Sequence, residues 1–312
     1  NEVYPTYYPP RKTPKECYEQ IIADLTDAEQ YAPDNDNSDR TKMTKTVAQA
    51  MLAKVYAEKE VQDYDKVIAY ADKVMKTTGV ELEDSYETLW GYDETAKDCM
   101  KRNTKEGILE VHWTTGSGNW ETWMYGRQLD NWDYYFTWAK WITPSRDIIN
   151  DFDKEGDEVR KNQAIVYYAC TWSNYYPASN YPFMYKLRSS YNNIYWLRLA
   201  DIILMKAEAE AYKGNLAEST KLVNQIRKRA KLKELTSDKT GSKESMIEAV
   251  LHERRLELAF EGERWFDLCR NNKVEQYLNG IDNRDSGRIR QVRQFDSNSY
   301  LLPIPQTALD QN

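Results

Sequence analysis

His252-Glu253-Arg254-Arg255-Leu256-Glu257-Leu258-Ala259-Phe260-Glu261-Gly262-Glu263-Arg264-Trp265-Phe266-Asp267-Leu268 is the stretch on which the fold turns. Ile247, Leu251 and Leu258 recur at helical spacing on one face, and Arg254 stands in the same row. A guanidinium on an apolar stripe needs a carboxylate, because stranding one partner of a buried pair costs roughly 3–5 kcal/mol. Glu253, Glu257, Glu261 and Asp267 are near enough in sequence to serve, and Arg254 with Glu257 or Glu261 is the expected pair. Gly262 interrupts the helix and Arg264 starts a second one. The stretch reads as a structural, partly buried helix junction.

Helical grammar extends outward from it. Thr13 before Pro14 caps a helix running to about Tyr31, a second covers about Lys45 to Lys59, and a third about Tyr64 to Thr77. Shifting the sequence by 152 positions places Ala48, Leu52, Lys54 and Ala57 on Ala200, Leu204, Lys206 and Ala209 without a gap. Each copy is a helical hairpin with small residues at the crossing, a tetratricopeptide-like pattern. The two hairpins are expected to pack on something between them, with Glu208, Glu210 and Lys213 on solvated outer faces.

Residues 101–191 break that pattern. Gly107 to Trp113 predicts a strand, and Gly116 and Gly118 mark a loop. A short helix is expected from Pro144 to Asp153, capped by Thr143, and 171–193 reads as loop. The expected class is therefore mostly α: tetratricopeptide-like helical hairpins (1–100 and 192–312) around an irregular, aromatic-rich loop layer (101–191) with few short strands. These parts are expected to form one integrated domain.

The net charge of −7 argues against a nucleic-acid partner, which would need a concentrated basic stripe. No apolar run approaches the roughly 18 residues of a membrane span. The opening residues do not resemble a signal peptide, so a mature or shortened chain is expected if the protein is exported. Cys17, Cys99, Cys170 and Cys269 are scattered, show no zinc spacing and read as core fillers; no metal or other cofactor is expected.

Aromatic content is the anomaly: 24 Tyr and 10 Trp against 6 Phe. Six of the tryptophans fall between Trp113 and Trp141, and a second cluster runs from Trp172 to Trp196. A sugar offers C–H faces and a ring of hydroxyls, so its site needs flat rings interleaved with Asn, Asp or Gln. The candidate ligand-binding residues are Asn119, Trp120, Trp123, Tyr125, Asp130, Asn131, Trp132, Tyr134, Trp172, Tyr175 and Tyr176. Trp120, Trp123 and Trp132 are read as surface platforms in a segment without helical period, and Trp138 and Trp141 as core. Catalytic signals are poor. Leu256 stands where H-E-x-x-H needs its second histidine, no G-x-S-x-G elbow occurs, and carboxylate pairs such as Asp151/Asp153 arise by chance among 50 acidic residues.

The motif Glu253-Arg254-Arg255-x-Glu257-Leu258-x-Phe260-Glu261-Gly262-x-Arg264-Trp265-Phe266-Asp267-Leu268, followed by Leu301-Leu302-Pro303-Ile304-Pro305, resembles the carboxy-terminal signature of the SusD/RagB family. Ile142-Thr143-Pro144-Ser145-x-Asp147, Leu197 to Ala209, Ile22-x-Asp24-Leu25 and Lys45 to Tyr56 extend the likeness over most of the chain. The resemblance implies a non-catalytic, lipid-anchored binding protein on the outer-membrane surface of Bacteroidota. It would capture an oligosaccharide or polysaccharide and deliver it to a SusC-like TonB-dependent transporter. Membrane association would run only through a lipid anchor outside this chain, and the family's usual amino-terminal portion is expected to be absent. The alternatives are RagB-like peptide uptake and a helical-repeat scaffold that binds only protein.

Overall fold

The computed structural model describes residues 11–96, 98–113, 120–125, 142–170, 174–189, 191–285 and 294–310. In chain order these form α1 (Pro14–Tyr31), α2 (Lys45–Ala57), α3 (Tyr64–Met75), α4 (Tyr86–Trp90), β1 (Tyr92–Asp93), β2 (Asp98–Cys99), β3 (Gly107–Val111) and α5 (Trp120–Tyr125). There follow α6 (Arg146–Glu155), α7 (Glu158–Ala164), β4 (Ile165–Tyr168), β5 (Tyr181–Met184), β6 (Ile194–Arg198), α8 (Leu199–Lys213) and α9 (Leu216–Arg229). The chain continues with α10 (Ser237–Thr240), α11 (Lys243–Glu257), α12 (Arg264–Arg270), α13 (Val274–Leu278) and α14 (Gln306–Leu309). Strands pair only in antiparallel twos, β1 with β2, β3 with β6 and β4 with β5. The expected mostly helical class is what forms.

Local chemistry explains the helix starts. Thr13 and Glu16 form the reciprocal capping box that opens α1. At α6 the cap is Ser145, whose hydroxyl accepts from the Ile148 amide at 3.2 Å. Thr143, the expected cap, instead meets the Tyr181 hydroxyl at 3.1 Å. A further correction concerns 171–193, where β5 interrupts the expected loop by pairing with β4.

The two hairpins do not need an intervening layer. Helix α3 packs directly on α8, and so does α11. A single apolar cluster takes Val47 and Ala50 from α2, Val74 from α3, Ile202 and Ile203 from α8, Leu222 from α9 and Leu251 from α11. Each such aliphatic side chain contributes roughly 1.5–3 kcal/mol by leaving water. Helix α8 is buried on every face from Leu199 to Ala211, so Glu208 and Glu210 are not the solvated residues their spacing suggested. Glu208 is 2 % exposed and receives Arg270 through Nε at 2.9 Å and Nη2 at 2.6 Å.

A buried ionic layer joins this helical stack to residues 101–191. Arg198, at the end of β6, donates to Glu261 at 2.6 Å, to Glu106 at 2.9 Å and to Glu257 at 2.6 Å. Arg160 of α7 reaches Glu253 at 2.7 Å and Glu257 at 3.2 Å, and Arg229 of α9 pairs with Glu106 and Glu257. Burial alone would push the Glu257 carboxyl up, but Arg229, Arg198 and Arg160 hold it well below the usual carboxylate range.

Arg254 is fully buried, as its place in the apolar row required. Its partners differ from the expected pair. It donates to Asp267 at 2.9 Å and to Asp201 at 2.7 Å, because Glu257 and Glu261 are already held by Arg198. Lys54 of α2 closes the far side of Asp201 at 2.7 Å. Of the cysteines read as core fillers, Cys170 is buried and Cys17 is exposed. No described helix is long and apolar enough to cross a membrane.

Candidate functional site

The segment from Ile142 to Arg146 is the hinge of the site. Proline at 144 holds the preceding residue extended and delays the helix until Arg146. One flank of this segment carries an aromatic cluster. The Tyr176 hydroxyl donates to the Pro144 carbonyl at 2.7 Å, and the Tyr175 hydroxyl donates to Asp285 at 2.5 Å. The Arg146 guanidinium lies over both rings, 4.2 Å from the Tyr176 centroid and 4.5 Å from that of Tyr175, and donates to the Tyr175 carbonyl. Tyr175 and Tyr176 meet edge to face at 4.7 Å, and Tyr176 and Tyr181 at 5.6 Å. Burial raises the Tyr176 phenol above its usual value, so it stays a neutral donor at physiological pH.

The other flank is a cleft of about 420 Å³ between Ile142–Ser145 and the junction of α11 with α12. Phe260 and Gly262, at φ of +66° and +88°, turn the chain there. The cleft's walls include Leu258, Phe260 and Trp265, with Arg255 and Arg264 among them. A second cleft of about 420 Å³ lies between α4 and α7 and carries Asp84, Glu87 and Glu158 beside Asn162 and Gln163.

The candidate residues divide three ways. Tyr175 and Tyr176 are brought together, both half-buried. Trp120, Trp123 and Tyr125 lie on α5, so the segment read as lacking helical period forms a short helix there; Tyr125 is half-buried. Asn119, Asp130, Asn131, Trp132, Tyr134 and Trp172 lie outside the described residues, as do Trp138 and Trp141. Arg146 and Asp285 were missed. Arg146 sits inside a quoted motif, and an arginine beside a Tyr-rich stretch is a signal for ring stacking. Asp285 is 110 residues from Tyr175 and nothing local marks it. Trp196 is 65 % exposed on β6, the opposite of its neighbour Tyr195 at 7 %.

The Asp151/Asp153 carboxylates are held in ion pairs: Asp151 binds Arg255 and Asp153 binds Lys161. His112 meets Glu110 at 2.7 Å and His252 meets Glu155 at 3.2 Å. Among the described residues no group of three or more His, Cys, Asp or Glu is placed to hold a metal.

A model of the SusD family matches residues 105–312. The SusD-like protein P2 of Formosa agariphila is 27% identical over 344 aligned positions, which cover 96% of this chain and 64% of that protein. The chain thus spans a little under two thirds of that relative's length. A SusD superfamily protein from Bacteroides thetaiotaomicron superimposes with a TM-score of 0.72 at 25% identity, covering 98% of this chain and 66% of the other. A laminarin-binding SusD-like protein gives a TM-score of 0.70 at 24% identity over 96% of this chain and 68% of its own.

Proposed function

We propose that this chain, which belongs to the SusD family, serves as a non-catalytic carbohydrate-binding protein. The observation that carries the reading is the family match over residues 105–312, which takes in the aromatic layer together with α8, α11 and α12. A SusD-like neighbour of the same fold binds laminarin, which makes a soluble glucan a natural first ligand to try.

The residues proposed to take the ligand are those marked by the sequence: Asn119, Trp120, Trp123, Tyr125, Asp130, Asn131, Trp132, Tyr134, Trp172, Tyr175 and Tyr176. Rings would take the C–H faces of the sugar, and amides and carboxylates its hydroxyls. In the cell the protein would act at the outer-membrane surface, passing its oligosaccharide to a SusC-like TonB-dependent transporter. No step of bond cleavage is required of it.

Titration calorimetry against a panel of soluble glucans, other oligosaccharides and unrelated peptides tests the reading. Saturable binding of at least one saccharide, with the saccharide recovered intact, is the expected result. Binding of peptides alone would overturn it in favour of peptide uptake.

A further inference from the structure

The three arginines that line the cleft beside Ile142–Ser145 are not equivalent. Arg254 is paired with Asp201 and Asp267, and Arg255 with Asp147 and Asp151. Arg264 is half-buried and, among the described residues, has no carboxylate within ion-pair distance. It donates one hydrogen bond to the Leu251 carbonyl at 3.1 Å and lies over the Tyr277 ring at 4.6 Å. Burial, followed by repulsion from Arg255, pulls this guanidinium down to about 10 against the weaker attraction of Tyr277 and Asp267.

We propose that the cleft is a subsite for an acidic saccharide unit whose carboxylate or sulfate is received by Arg264. This rests on the carbohydrate reading above and names the ligand class within it. A guanidinium presents a fork of donors that fits either oxyanion group. The Trp265 and Phe260 side chains offer apolar surface for the sugar ring, and Thr143 and Ser145 add hydroxyls at the rim. The volume, about 420 Å³, lies in the range of small-molecule sites. Through Thr143 and Pro144 the cleft adjoins the Tyr176–Tyr181 cluster, so one chain could lie across both.

The test titrates the protein with a hexuronate oligosaccharide, a sulfated oligosaccharide and a neutral laminarin oligosaccharide, each at low and high salt. At least one acidic ligand is expected to bind on the order of tenfold tighter than the neutral one at low salt. That advantage should shrink as salt screens the charge. Arg264→Gln should bring the acidic-to-neutral ratio close to one, and Arg264→Lys should keep part of it. If Arg264→Gln fails to fold, the salt dependence of the wild type decides. Equal, salt-independent affinity for acidic and neutral saccharides overturns the subsite while leaving the carbohydrate reading intact, as does a preference that survives Arg264→Gln. Failure of every saccharide to bind overturns both.

Discussion

The α11–α12 junction and the aromatic layer both concentrate unusual residues, yet they treat their polar groups in opposite ways. At the junction, Arg160, Arg198, Arg229, Arg254 and Arg270 each meet carboxylates, mostly from other elements. On the cleft side of that junction and in the tyrosine cluster beside it, Arg264 meets no described carboxylate and Arg146 divides itself between Asp285 and two tyrosine rings. Groups that stabilise a fold must be satisfied within it, because a buried unpaired charge costs several kcal/mol. Groups that bind can leave part of their valence for a partner.

The comparison is most easily broken at its centre. Arg198→Ala removes the cation that Glu106, Glu257 and Glu261 share and leaves them to Arg229, Arg160 and Lys186, so the expected loss is within the roughly 3–5 kcal/mol of a broken buried pair. Arg254→Ala leaves Asp201 to Lys54 and Asp267 to Arg270, and should lose on the order of 3 kcal/mol. Urea denaturation measures both. A loss under about 1 kcal/mol at Arg198 would mean that the layer is not what joins the middle segment to the helices.

Acid should dissolve the same layer. Glu257, Asp201 and Asp267 are all held below the ordinary carboxylate range, burial opposing and arginine or lysine neighbours prevailing. A folded-state value below the unfolded one gives stability that is complete above the unfolded carboxylate range and declines as pH falls through it. Lys186 runs the other way: burial pulls it down to about 8 from 10.5, so the native state holds fewer protons between those values. Its contribution to stability should rise with pH across that window. Melting temperature should therefore fall steeply below about pH 4.5; a flat profile down to pH 3 would contradict the pairing.

How legible this was depends on sequence separation. The Thr13 cap is local, and it was read correctly. Arg254 was recognisable as buried from its row alone. Its partners were not, since Asp201 lies 53 residues away and the nearer glutamates face Arg198. The direct contact of α3 with α8 was hidden because 101–191 intervenes in sequence but not in that interface. On the site side composition pointed to Tyr175 and Tyr176. It could not show that Arg146 and Asp285 hold them.

A smaller effect sharpens the contrast. Arg146→Ala removes stacking on two half-exposed rings and a partly exposed ion pair with Asp285 at 3.3 Å. The expected loss of stability is about 1–2 kcal/mol, from cation–π and hydrogen-bond contributions combined. Glycan affinity should fall as well if Tyr175 and Tyr176 line the ligand. A loss of stability without any change in affinity would move the ligand away from this cluster.

The smallest expected change in stability is the most informative about binding. Trp196 stands 65 % exposed, so its replacement by Ala should alter stability by no more than about 0.5 kcal/mol. Trp120, Trp123 and Trp132 are proposed as platforms of the same kind. Replacing any of them with Ala should weaken glycan binding by about 1–3 kcal/mol, the scale of a binding hot spot. Their melting losses should stay below the roughly 3–5 kcal/mol of a buried tryptophan. Calorimetry and thermal melts on the four variants separate the cases, because a platform loses affinity and keeps its fold whereas a core residue does the reverse. Large melting losses at Trp120, Trp123 and Trp132, with affinity kept at Trp196, would shift the ligand toward Tyr175, Tyr176 and the Arg264 cleft.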